Sequence, residues 1–480
     1  MGIVRKVLGA SAIIIVANGL NRLFAILAAP ILTHVLGPSP YGVMALVGTV
    51  TNLACTLSLL GIDMSYARFY FAGTSTSSHA VETFCWRYAI FSSIIVSVLS
   101  SCVWQFLLEK SNSNFMVALM VGLTTILFVI NTMSQTWARL RDKYNRIALA
   151  IIVSGIVATL ITISLAMLWR RDEWPLLVGF GSGILMNVIV IGMPQSDLVV
   201  KRSGLSLSEK WPIIKLGLPG LMTATMYWVL SSSDRWFLNL FLGKEVVGIY
   251  SFAYNVGVVG LIVNTAIVLA WIPESIRTYE ENAERASSML GEVWGGLALS
   301  LSLVWLLVSS FGGDMIRVLA DPQFHSGAAY IPWIAGGVYF YGMALLANSG
   351  LLIAKNMKPA ANLWFAGGAL NIILNYFVIQ MWGAYGAAVS NCLSFAFICF
   401  GVMWKSLKLF KLNLAWDKVL GAGMIVLICG VLLSPAWHSY PLISICLKLP
   451  MYLGISLCLT CWTVPGWVKQ LRMHLRRSQL

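Results

Sequence analysis

Charge is what this sequence has least of. Only 10% of its 480 residues are Asp, Glu, Lys or Arg, against roughly a quarter in ordinary soluble domains. The hydrophobic share of 59% exceeds what a globular core can hide, so a soluble fold is excluded. Histidine is also scarce. His34, His79, His325, His438 and His474 stand apart from one another and from any carboxylate pair, which argues against a metal centre or a catalytic triad. Long polar segments are missing too, leaving no room for a soluble domain or for polymerase or ligase chemistry at the outer face. The first apolar stretch lacks a small-residue cleavage site and is too long for a signal peptide, so it reads as a first helix. Cysteine offers little more. Cys85 lies at a loop edge, and Cys458 and Cys461 sit in an apolar run without further ligands, as packing residues.

Apolar runs fill the space these absences leave. A run of about 20 residues crosses roughly 30 Å of hydrocarbon. Such runs occur at 8–36, 41–62, 87–108, 115–137, 147–169, 174–194, 214–241, 246–273, 293–312, 328–354, 359–381, 384–404, 416–435 and 445–466. The expected fold is therefore all-α and polytopic, with about fourteen transmembrane helices. The net charge of +14 then reports orientation. With both termini inside, 24 of the 32 basic residues fall on inner segments, including the tail Lys469, Arg472, Arg476 and Arg477. Lys110, Arg170, Arg171, Lys244, Arg317 and Lys448 fall outside, and Arg22 and Arg235 lie within spans. That asymmetry places the inner side in the cytoplasm and removes any need for a nucleic-acid partner.

The chain repeats itself. Leu36 to Gly42 reads LGPSPYG and Leu242 to Gly248 reads LGKEVVG, both L-G-x-x-x-x-G at an offset of 206 residues. Arg139 to Ala148 and Leu352 to Ala360 echo each other at a similar offset, each a basic cluster entering an apolar span. The pattern predicts a six-helix lobe over 1–200, a second over 201–411, and an additional helix pair with a basic tail over 412–480. Parallel repeats of this kind mark transporters in which one half rocks against the other around a central site. Gly179, Gly181, Gly183, Gly336, Gly337, Gly367 and Gly368 lack the strand and helix N-terminus a phosphate loop needs, and read as close helix packing. Pro30, Pro219, Pro273 and Pro332 are expected kinks or breaks.

Ionisable groups at membrane depth cost several kcal/mol and are functional candidates by default. Arg22 lies roughly 22 Å below the first outer loop at 1.5 Å per residue, and Asp234 and Arg235 roughly 13 Å below the loop at Gly243. Asp63 to Arg68 and Glu274 to Arg277 sit at the inner ends of the second and eighth spans. Asp234 and Arg235 point about 100° apart on a helix and are expected to pair poorly with each other. Asp234 could pair with Arg22 instead, either lining a cavity or forming a buried bridge that sets register. Arg68 and Arg277 are substrate-binding candidates, with interfacial anchoring as the alternative. Intramembrane asparagines are frequent, and most read as helix-to-helix glue. Asn18, Asn21, Asn255 and Asn264 share helices with the charges and are cavity candidates. Tyr66, Phe69, Tyr70, Tyr227 and Trp228 could stack on sugars or form interface belts.

Three segments resemble a known family. Asp234 to Gly257 reads DRWFLNLFLGKEVVGIYSFAYNVG, and Gly350 to Asn391 carries A-K, N-x-x-L-N and G-A-Y-G-A-A elements. The opening, GLNRLFAILAAPILTHVLGPSPYG through GIDMSYARFYF, is similar to the first two helices of the same family. The family is that of polysaccharide transporters of the O-antigen flippase type, within the multidrug, oligosaccharidyl-lipid and polysaccharide exporter superfamily. The resemblance implies a two-lobed transporter, not an enzyme and without cofactor or metal, in the bacterial inner membrane. It would move an undecaprenyl-diphosphate-linked oligosaccharide to the outer leaflet, with a polysaccharide polymerase complex as a candidate partner. The resemblance further implies a cationic cavity for the diphosphate, a role that Arg22 and Arg235 fit. Asp63 and Asp234 are the expected sites of coupling to a proton or sodium gradient. Fourteen spans rather than twelve favour a lipid II flippase as the alternative. A multidrug exporter and a membrane-embedded lipid-sugar transferase remain further alternatives.

Overall fold

The computed structural model describes residues 2–71, 75–108, 115–194, 204–409 and 416–463. Side chains of residues 2–12, 75–77, 107–108, 269, 283–288 and 416 are not described. Lys110, Lys201, Arg202, Lys411 and the basic tail Lys469, Arg472, Arg476 and Arg477 lie outside the described residues, as does His474.

The described residues form helices α1 (Gly2–Leu36), α2 (Pro38–Leu59), α3 (Ile62–Tyr70), α4 (Ser75–Val103), α5 (Phe115–Leu140), α6 (Tyr144–Leu168) and α7 (Trp174–Ile191). Then follow α8 (Leu207–Leu242), α9 (Lys244–Gly257), α10 (Leu261–Glu281), α11 (Ala283–Leu319), α12 (Ile331–Ile353), α13 (Lys358–Leu409), α14 (Trp416–Leu433) and α15 (Pro441–Thr463). Twelve described segments are long and apolar enough to cross a membrane. One of them, α13, breaks at Gly383, whose φ of 60° is left-handed backbone that favours glycine, so it comprises two spans. The apolar 18-residue α14 adds another, giving fourteen. The protein is a multi-pass membrane protein.

Local chemistry sets the corners. Gly37 ends α1 with φ 70° and Gly243 ends α8 with φ 89°, and Pro38, Pro175 and Pro332 open helices in the first turn, where a missing N–H costs nothing. Pro332 therefore starts α12 and does not break it, whereas Pro30, Pro219 and Pro273 lie inside helices.

The chain divides into two compact units. The first comprises Met1–Trp228 with Leu242–Gly248, and the second Val229–Phe241 with Ile249–Leu480, so the division runs through α8. In the first unit α6 packs on α1 and α7, α5 on α4 and α7, and α2 on α4 and α5. Small residues allow the closest of these approaches. A Cβ on Gly179 or Gly183 of α7 would press into Thr162 or Ala158 of α6. In the second unit α12 packs along α13, and α11 carries α12, α14 and α15.

Candidate functional site

Helix α1 offers two open faces. At 3.6 residues per turn, the exposed Val16, Leu20, Leu23 and Leu27 form one apolar stripe, as a lipid-facing surface requires. Asn18 and Arg22 are also exposed, one turn apart, and lie on the roughly opposite side of the helix. Between the two faces run Ala17 and Ala28, buried on the side where α1 packs on α6. The Asn18 side chain donates to the Ile14 carbonyl at 2.9 Å. Asn21 is half-buried beside Gly155 of α6, where a Cβ would strike its amide oxygen. The sequence grouped these three, and the structure keeps Asn18 and Arg22 on one open face while Asn21 packs on α6.

The second intramembrane group is built differently. Asp234 and Arg235 are both buried in the second unit, at 1% and 7% exposure. The expectation that they pair poorly with each other is overturned, because Arg235 Nη1 stands 3.2 Å from Asp234 Oδ1. The wheel projection neglects the reach of the side chain. The guanidinium folds back toward the helix N-terminus, as long helical side chains do, so that Nη1 also donates to the Ser231 carbonyl at 2.7 Å. The Arg235 backbone N–H donates to the same Asp234 oxygen at 2.8 Å, and Tyr250 Oη donates to the other at 2.6 Å. Arg235 Nε donates to Ser251 Oγ at 3.2 Å, and its guanidinium carbon lies 4.3 Å from the Tyr254 ring centroid. Both charges are thus met within α8 and α9.

An amide network adjoins this pair in sequence. Ser233 donates to Asn371 Oδ1 at 3.1 Å, Asn375 donates to both Ser233 and Asn371, and Asn371 donates to Ser394. Asn264 is buried at 2% and donates to the Val338 carbonyl at 2.8 Å, a helix-to-helix bond. Asn255 is exposed on α9.

The inner-end candidates separate. Asp63 and Arg68 sit on the short helix α3, half-buried and exposed respectively, whereas Arg277 continues α10 and pairs with Glu281 at 2.8 Å, with 69% of its side chain exposed. Burial pushes the Asp63 carboxyl above its ordinary value, against the opposing pull of the Met64 N–H and the Arg139 charge.

Two ion pairs went unread in the sequence. Glu82, 3% exposed, accepts from Arg141 Nη2 at 3.0 and 2.9 Å. Lys448, expected in an outer loop, is fully buried inside α15 and pairs with Asp314 of α11. Cys85 is likewise buried inside α4 and not at a loop edge, and Cys458 and Cys461 are exposed, free thiols on α15.

A family model described as "Polysaccharide biosynthesis protein" matches residues 7–279. The chain belongs to that family. A probable low-salt glycan biosynthesis flippase of Haloferax volcanii is 23% identical over 246 residues, which cover 47% of this chain and 51% of that protein. The match therefore spans about half the length of this relative. Among solved structures, the lipid II flippase MurJ in an inward closed conformation superposes with a TM-score of 0.72 at 14% identity, covering 93% of this chain and 98% of that one. An inward-facing multidrug resistance transporter of the MATE family superposes at 0.58 and 12% identity, over 84% and 96%. At these identities the likeness is one of fold.

Proposed function

We propose that this family member is a flippase that carries an undecaprenyl-diphosphate-linked oligosaccharide, an O-antigen or exopolysaccharide repeat unit, across the bacterial inner membrane by alternating access. Both termini lie in the cytoplasm in this reading, as the partition of Lys and Arg requires. The observation that carries it is the open polar face of Asn18 and Arg22 on α1, set away from the apolar stripe of the same helix. A guanidinium exposed at membrane depth needs water or an anion, and a diphosphate supplies charge-assisted acceptors. Arg235 enters second, because binding there must first compete with Asp234. Asp234 is the coupling group in this scheme: protonation or cation binding at its carboxylate would loosen Arg235. The glycan flippase among the relatives and the MurJ-like fold support the transporter class.

The test is translocation of a fluorescent undecaprenyl-diphosphate oligosaccharide in proteoliposomes. Arg22→Gln should slow it by about tenfold or more, the scale of one charge-assisted hydrogen bond, while Arg22→Lys keeps part of the rate. Undiminished transport by Arg22→Gln would remove the diphosphate role. Turnover of an activated sugar or acyl donor by the purified protein would replace the transporter reading with an enzymatic one. The fourteen spans favour a second substrate, lipid II, which complementation of cells depleted of their lipid II flippase separates from the first.

A further inference from the structure

The first unit holds a second polar cluster, at the corner where α3, α4 and the α5–α6 turn meet. The turn is tight. Arg141 and Lys143 both donate their backbone N–H to the Ala138 carbonyl, at 3.2 and 2.9 Å, and Asp142 between them takes a left-handed φ of 54°, a conformation Asp tolerates better than most residues. This geometry brings both cations onto one indole. The Arg141 guanidinium carbon lies 4.8 Å and Lys143 Nζ 4.2 Å from the Trp137 ring centroid, and Arg141 also lies 5.5 Å from the Tyr70 ring. Glu82 holds Arg141 through Nη2 alone.

What is left over around Arg141 is a surplus of donors. Among the described residues, Arg141 Nη1, Tyr66 Oη, Trp86 Nε1 and Trp137 Nε1 are buried without a hydrogen-bond partner. Tyr66, Trp86 and Trp137 are 0%, 2% and 7% exposed and belong to one core cluster. The Tyr66 hydroxyl faces Arg141 and Glu82 yet makes good hydrogen-bond geometry with neither. Indole N–H and guanidinium N–H groups can only donate. Buried donors without acceptors are costly, and the three groups that can only donate, Arg141 Nη1 and the two indole N–H groups, define the missing partner by its chemistry: a compact group of acceptor oxygens. The Arg141 side chain remains 27% exposed, so the cluster reaches the surface of the unit at Arg141, with Nη1 itself covered.

We propose that Arg141, Tyr66, Trp86 and Trp137 form a phosphate-binding site, separate from the polar face of α1, that takes the phosphate oxygens of a lipid headgroup or of a soluble phosphate. Arg141 supplies the charge through the Nη1 that Glu82 leaves free, and the hydroxyl and indole N–H groups fix the oxygens. Burial pushes the Tyr66 phenol well above its ordinary value, so the hydroxyl stays a donor. The site stands independently of the proposed translocation.

The experiment uses the full chain in a neutral detergent and reads thermal stability and tryptophan fluorescence. The probes are inorganic phosphate, short-chain phosphatidic acid and short-chain phosphatidylcholine. Saturable stabilisation by phosphatidic acid but not by phosphate assigns the site to a lipid headgroup; equal responses to both assign it to a soluble anion. In either case Tyr66→Phe and Trp137→Phe should each weaken binding roughly five- to tenfold, as expected for one hydrogen bond. Tyr66→Phe removes only the unmet hydroxyl, so the ligand-free protein should stay folded and stabilise slightly. No saturable response to either phosphate probe, or full affinity in both variants, would overturn the site. Neither result bears on transport through Arg22.

Discussion

Gly42 and Gly248, 206 residues apart, touch each other's motifs reciprocally. Gly42 rests on the Lys244 carbonyl and Gly248 on the Pro38 carbonyl, so close that a Cβ on either glycine would collide with backbone. Pro38 and Lys244 occupy equivalent places in the two L-G-x-x-x-x-G copies. The contact is therefore of the kind in which i meets j and the equivalent of j meets the equivalent of i, the signature of a two-fold relation. Just past the far end of α2, Gly61 and Gly217 also meet backbone on backbone, too close for a Cβ on either. Both ends of α2 are held through glycine.

Gly42→Ala and Gly248→Ala should each destabilise the protein by about 1–3 kcal/mol, the usual cost of overpacking, because the obstacle is backbone and cannot rotate away. Gly48→Ala, in the same helix with nothing within 4 Å of its Cβ, should be neutral. The double variant should lose less than the sum of the singles, since one displacement relieves both collisions. Thermal unfolding in detergent measures all four. Equal melting temperatures for Gly42→Ala and Gly48→Ala would contradict the contact.

At the Asp234 cluster the order of effects is set by what each change strands. Asp234→Asn leaves Arg235 buried with its counter-charge gone, at a cost of about 3–5 kcal/mol. Tyr250→Phe removes one donor to a carboxylate and should cost about 1.5–3 kcal/mol. Asp234→Asn combined with Arg235→Gln strands no charge and should recover much of the single loss. Chemical unfolding of the three variants orders them, and a double variant worse than Asp234→Asn would deny the pairing.

The spans were legible because each needs only a local apolar run, and the repeat because each copy pairs a glycine at a helix end where φ is positive, Gly37 or Gly243, with one that lets backbones meet, Gly42 or Gly248. The break at Gly383 falls between the expected spans 359–381 and 384–404, although the glycine itself carried no local signal. Pairing was not legible. Asp314 and Lys448 lie far apart in the chain and meet only because α15 packs on α11, which no local pattern encodes. Glu82 escaped notice because α4 begins well before its apolar run, so the carboxylate looked like loop. Of the site, the depth of Arg22 and Arg235 could be counted from the sequence. That one is open and the other matched could not, because an arginine can fold back along its own helix.

The terminal helix pair is tied to the second unit by that ion pair, which gives it a direct test. Lys448 donates to the Ser310 carbonyl as well as to Asp314, so Lys448→Met should leave a bare carboxylate and lower stability by about 3–5 kcal/mol. Lys448→Met with Asp314→Leu should recover most of it, since an apolar pair fits a membrane interior. Limited proteolysis after α13 adds a local readout: faster cleavage in the single variant than in the double locates the defect at α14 and α15.

Asp63 gives a pH dependence whose sign is determined by burial. Its carboxyl titrates higher in the folded protein than in the unfolded chain, so the folded state favours the proton. The corresponding stability is complete below the unfolded value and is lost as pH rises through the folded one. Near neutral pH the buried carboxylate is therefore a burden, and Asp63→Asn, which resembles the protonated form, should raise the melting temperature there. At pH 4 the two proteins should differ less. Melting curves of wild type and Asp63→Asn between pH 4 and 8 check this, and a gap that widens toward acid would mean that Arg139 and the Met64 N–H outweigh burial.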